Sequence, residues 1–83
     1  MSHHDALWET IKYIAKENGI TRSGLARKCG LDATTFNYSK CQSPDGKPRW
    51  ISTHTLYKVL VCTNTTPKKF ATIFESFLDC DEK

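Results

Sequence analysis

The feature that most limits what this chain can become is the spacing of its apolar residues. They recur at helical intervals, and no segment alternates with period two over a useful length. In "DALWETIKYIAKENG", Leu7, Trp8, Ile11, Ile14 and Ala15 share one helical face, and Gly19 follows as the C′ stop. Near the other end, "PKKFATIFESFLD" carries Phe70, Ile73, Phe74, Phe77 and Leu78 behind a Thr66 cap and a proline at the first helical position. Between these stripes, Thr21 is a good N-cap, Ile20 can staple onto Leu25, and Gly30 can end the short helix so begun. Asp32 can cap a further helix, and Ser52 another, in which Leu56, Val59 and Leu60 face inward. The stretch "CQSPDGKPRWI", with two prolines and a Pro-Asp-Gly turn signal, reads as a loop. The expected fold class is all-α: a compact bundle of five short helices near residues 5–18, 22–29, 33–40, 53–63 and 67–79, in a single domain spanning 1–83.

With 83 residues, the chain should bury roughly 60–65% of its unfolded surface, enough for a small core. Apolar residues make up 39% and charged residues 25%, a globular balance. No apolar run approaches the ~20 residues of a membrane span. The opening "MSHHDALWET" has acids and no apolar core of a secretory signal, so the expected location is cytoplasmic. Cys29, Cys41, Cys62 and Cys80 stand singly. In a cytoplasmic chain, Cys29 and Cys62 are expected as small buried hydrophobes and the other two as incidental thiols, with no disulfide framework. No ligand spacing joins His3, His4 or His54 to a cysteine, so no metal and no cofactor is expected.

The net charge of +3 is modest, but it is unevenly spread. Residues 22–58 hold seven Lys and Arg against Asp32 and Asp45, whereas the segments on either side are each at −1. A basic middle between acidic ends suits a nucleic-acid face. It falls on "TRSGLARKCGLDATTFNYSK". There Ala26 and Gly30, four apart, can serve the crossing and the turn of a helix–turn–helix, with Leu25, Cys29, Leu31 and Phe36 beneath the bend. With Phe36 inward, a helix over 33–40 turns Thr34 and Tyr38 outward and sets Thr35 and Asn37 beside them. That face has hydroxyls, an amide and a phenol, all able to meet base edges or phosphates, and no acid between Ala33 and Lys40.

On these residues the sequence resembles the helix–turn–helix of the phage repressor and Cro-like group of bacterial regulators. Over nearly the whole chain, including "GKPRW" and "STHTLYKVL", it is similar to the N-terminal DNA-binding domain of repressors with a LexA-like self-cleaving peptidase domain, whose peptidase half would lie outside these residues. The resemblance implies a lambda-repressor-like domain that binds double-stranded operator DNA. It also implies roles by position. Arg22 stands where a phosphate-contacting Gln is frequent, and Ala33 where a Gln often grips adenine, so readout at Ala33 should be weak. Thr34 and Tyr38 would face bases, with Thr35 and Asn37 beside them. Lys40, Lys47 and Arg49 would meet the DNA backbone. Trp50 is expected to anchor the long loop as core rather than stack on a base.

The reading is thus a sequence-specific transcriptional regulator, a repressor acting as a dimer with its third helix in the major groove. The C-terminal helix is the candidate homodimer surface, with Phe77 and Leu78 its best-placed residues, unless its stripe is used up by the monomer's own core. The alternative is a helical protein-interaction module, antirepressor- or antitoxin-like, without direct DNA readout. Catalysis is not expected: no nucleophile–base arrangement stands in a recognisable context, and "PDGKP" lacks the spacing of a phosphate loop.

Overall fold

The computed structural model describes residues 1–79. Its α-helices are α1 (His3–Glu17), α2 (Arg22–Lys28), α3 (Thr53–Cys62) and α4 (Pro67–Asp79), with one 3₁₀ helix, Tyr38–Cys41. Among the described residues there is no strand, and the sole β-type pairing is an isolated bridge between Gln42 and Pro48. No helix among them is long and apolar enough to cross a membrane.

The helix starts follow the capping residues in the sequence. Ser2, Thr21 and Ser52 each accept a hydrogen bond from a first-turn amide, of Asp5, Gly24 and Thr55 respectively. Thr66 Oγ1 accepts from Lys69 N in the same way. The helix ends share one device. After α1, Gly19 at φ 72° lets Ile20 N reach back 3.0 Å to Ala15 O. After α2, Gly30 at φ 75° lets Leu31 N donate to Ala26 O at 2.8 Å. After α3, Asn64 takes the left-handed position at φ 59°, and Thr65 N donates to Leu60 O at 2.9 Å. In each case a left-handed residue closes the helix and a sixth-residue amide satisfies an otherwise orphaned carbonyl.

The core is small and lies between α1, α2, α3 and the chain just past α2. Ile11, Ile14, Leu25, Phe36 and Val59 have no exposed surface, and Trp8, Ala15, Ala26 and Cys29 complete the cluster. Against α1 lies α4, where Phe70, Ile73, Phe74, Phe77 and Leu78 are all half-buried. Phe77 meets Tyr13 edge-on at 6.2 Å, and Phe74 meets His3 at 6.0 Å. The C-terminal stripe is therefore largely engaged within the monomer.

Two expectations are overturned here. The α-helix expected over 33–40 is absent. Instead a turn over 33–36 leads to Asn37 at φ −63°, ψ 145°, and then to the 3₁₀ helix Tyr38–Cys41. The turn is held by short local hydrogen bonds. Asp32 Oδ1 accepts from both the amide (2.9 Å) and the hydroxyl (2.7 Å) of Thr34. Asp32 O accepts from both the amide (2.9 Å) and the hydroxyl (2.7 Å) of Thr35. Short polar side chains that hydrogen-bond nearby backbone offer an alternative to the helical ladder, and paired β-branched threonines add to the bias. The second correction concerns the cysteines. Cys29 and Cys62, with Cα atoms 5.7 Å apart, form a disulfide that ties the end of α2 to the end of α3 across a separation of 33 residues. They are not the unpaired thiols that the sequence implies, because their spacing gives no sign that two helix C-termini meet. Cys41 is a free thiol, and Cys80 lies outside the described residues.

Candidate nucleic-acid interface

The chain from Asp32 to Trp50 is largely exposed, and it is built in three parts. The first is the Asp32 turn. Its carboxyl sits below the usual aspartate range because it accepts from the Thr34 amide and, secondarily, from the Thr34 hydroxyl. The turn drives Phe36 fully into the core, in agreement with the sequence pattern. It also commits the Thr34 and Thr35 hydroxyl protons internally, so outwardly these residues offer lone pairs and methyl groups.

The second part is the 3₁₀ helix. It presents Tyr38, 74% exposed, and the Arg22 guanidinium lies 5.8 Å from the centre of that ring. Such a cation over a ring orients both groups at little cost. Arg22, at the first position of α2, is thereby tied to the same surface as Tyr38.

The third part is a loop folded back on itself from Cys41 to Arg49. Arg49 N donates to Cys41 O at 2.9 Å, Ser43 N to Lys47 O at 2.9 Å, and Gly46 N to Ser43 O at 2.9 Å. Inside the tip, Asp45 accepts from the Ser43 hydroxyl and from Lys47 N, which holds its carboxyl below the usual range. The base of the loop is fastened to α1. Arg49 O accepts from Trp8 Nε1 at 3.1 Å, and His4 Nε2 lies 2.9 Å from Cys41 O and 3.1 Å from Arg49 O. Both of those oxygens only accept, so Nε2 carries a proton, and Nδ1 lies 3.4 Å from the Asp5 carboxylate. His4 and Trp8 are four apart on α1 and act as one clasp. Lys47 near the tip and Arg49 at the base are both exposed to solvent. Cys41 at the clasp is half-buried, and that burial pushes its thiol pKa up, away from the reactive thiolate.

The nine residues singled out in the sequence are not gathered on one helical face. Thr34, Thr35, Lys40 and Arg49 line one groove, with Asp32, Ser52 and Thr55 from the start of α3. Tyr38 lines a second groove beside Ser39, Gln42 and Pro48. Asn37 and Lys47 are exposed outside both grooves, and Ala33 and Arg22 are half-buried. Trp50 borders both grooves and is 57% exposed. The expectation that Trp50 anchors the loop as core is therefore overturned. Trp8, 6% exposed and bonded to Arg49 O, has that role. Sequence reasoning misses the clasp, although His4 and Trp8 at i and i+4 are visible as one helical edge. It also misses Ser52 and Thr55 as groove-lining residues.

Among the described residues, no three or more His, Cys, Asp or Glu side chains form a group that could hold a metal ion. Compared with protein-family models, with curated proteins and with solved structures, the chain shows no match.

Proposed function

We propose that the chain is a sequence-specific double-stranded DNA-binding regulator whose contacts come from the segment Asp32–Trp50. The observation that carries this reading is the meeting of Thr34, Thr35, Lys40 and Arg49 in one groove, with the start of α3 at its rim. Lys40 and Arg49 supply charge for phosphates, and the helix start adds its positive dipole end. The threonines supply acceptor oxygens for exocyclic amines and methyls for thymine. Asn37 and Tyr38, at the start of the 3₁₀ helix, extend the polar surface, and Arg22 and Lys47 extend the charge. Ala33 has no polar group to contribute.

The reading element is then a turn followed by a 3₁₀ helix rather than a long α-helix, and it would reach base edges over a short span. Two copies are required for a site of useful length. Copies side by side would read half-sites about one helical turn of DNA apart, ~34 Å. A repressor acting as such a dimer, in the cytoplasm, is the fuller form of the proposal.

A second reading, a helical protein-interaction module without DNA readout, is favoured by one feature of α3. Tyr57 and Val61, one turn apart, are 60% and 62% exposed. Tyr57 also stacks on His54 at 6.4 Å. Selection of bound sequences from a random duplex pool at two salt concentrations separates the two. The DNA reading predicts an enriched motif and an affinity falling with salt at about 0.9 log units per phosphate neutralised, per log unit of salt. No enrichment, with no salt-dependent binding, would favour the module.

A further inference from the structure

Trp50 is the one large aromatic on the basic loop that nothing in the fold requires to be exposed. Its ring stands as a ridge between the two grooves and meets the molecule edge-on at His4, with centroids 5.4 Å apart and planes at 77°. A perpendicular contact of this kind steadies the indole while leaving most of it in water. Arg49 precedes it in the chain, its carbonyl held by the His4 and Trp8 clasp, and Lys40 lines the groove on one side. An exposed indole that follows Arg49 in the chain and lines a groove with Lys40 can stack on the face of a nucleobase that has left its stack, because every base has a π-face.

We propose that Trp50 is a stacking residue of the nucleic-acid surface, one that takes an unstacked base. This rests on the DNA-binding reading above and adds a contact that the groove-lining threonines cannot make. The base can come from a single strand or from a deformed step in a duplex, where pyrimidine–purine steps open most easily. Neither source needs a groove-filling helix, which the 33–41 segment does not provide.

The chain has two tryptophans, one buried and one exposed, so emission reports on the contact directly. Probes are a mixed-sequence oligonucleotide of about 20 nucleotides as a single strand, as a paired duplex, and as a duplex with one unpaired base. Expected results are quenching of emission by the single strand and the unpaired-base duplex, and loss of that quenching in Trp50→Phe without loss of binding. Trp50→Ala should weaken the same complexes roughly 5- to 100-fold. Quenching by the single strand alone would name that source, and quenching by both would include the deformed duplex. Unchanged emission with undiminished Trp50→Ala binding would overturn this proposal and leave the DNA reading intact. No binding of any probe at low salt would overturn the DNA reading itself. An emission shift that followed protein concentration without nucleic acid would instead assign Trp50 to a contact between two copies. Thermal melting of Trp50→Ala, expected to match the parent, guards against a folding defect.

Discussion

The helical frame and the Asp32–Trp50 segment are held together by different kinds of force. In the frame, apolar side chains at helical spacing bury one another, and α1, α2 and α3 each end on a left-handed residue that satisfies their carbonyls. In the segment, one side chain, Phe36, is fully buried. The rest of its order comes from hydrogen bonds between short polar side chains and nearby backbone, and from the His4 and Trp8 clasp. The difference teaches where surface chemistry can be placed in a chain this small. A frame with so little core has few residues to spare, so side chains face water where local polar bonds fix the backbone.

The strongest way to break this division is at the one place where the two regions share a core. Phe36→Ala should cost about 3–5 kcal/mol, enough to unfold much of a domain with marginal stability. Calorimetry should show a large fall in Tm for the whole molecule rather than local loosening. A small effect would mean that the segment is not seated in the core through Phe36.

Next in size are the cations. Replacing Lys40, Lys47 and Arg49 together by Ala should weaken binding to all duplexes alike and flatten the log–log salt dependence by about 0.9 for each phosphate that is no longer neutralised. By contrast, Thr34→Ala or Tyr38→Ala should erode preference at a read base pair by roughly 1–3 kcal/mol while leaving nonspecific binding in place. Equal losses from both kinds of change would erase the distinction between positioning and reading residues.

The clasp is worth less. Trp8→Phe keeps an aromatic core residue but removes the bond to Arg49 O, at a cost of about 1 kcal/mol. Hydrogen exchange should speed up at the Arg49 amide and spare α4.

The smallest expected effect is the titration of Asp32. Its pKa is lowered in the folded chain from an ordinary 3.8, so its contribution is present above that value and is lost as the pH falls through the lower, folded value. The Thr34 amide should report this transition by its chemical shift while α1 and α4 stay unchanged. Asp32→Asn, which keeps the acceptor but removes the charge, should raise DNA affinity about two- to five-fold at low salt.

Much of the frame is legible in the sequence because its signals are local. Ser2 aside, the caps Thr21, Ser52 and Thr66 and the stops Gly19 and Gly30 can be read from residue type, and the structure uses each of them. Asn64 performs the same service with a weaker signal. Phe36 turns inward as the pattern implies, but the helix expected around it does not form. A wheel of 100° per residue takes no account of the turn in which Thr34 donates to the Asp32 carboxylate and Thr35 to the Asp32 carbonyl. Trp8 is buried as its place on the α1 stripe implies, but Trp50, expected as the loop's anchor, is exposed for a different reason. Whether Trp50 is buried depends on how the loop returns to a distant helix, a contact spanning 41 residues that no local pattern encodes. The meeting of Cys29 and Cys62 is hidden in the same way.

The central claim is that the partner of this chain is DNA and that Asp32–Trp50 is where it lies. Amide shift mapping during titration with a duplex recovered from the random pool tests it most directly. The account predicts that the largest changes run from Thr34 to Trp50 and into Ser52 and Thr55 at the start of α3, with α4 silent. Changes centred on Tyr57 and Val61 or on α4, or none at all at low salt, would contradict it.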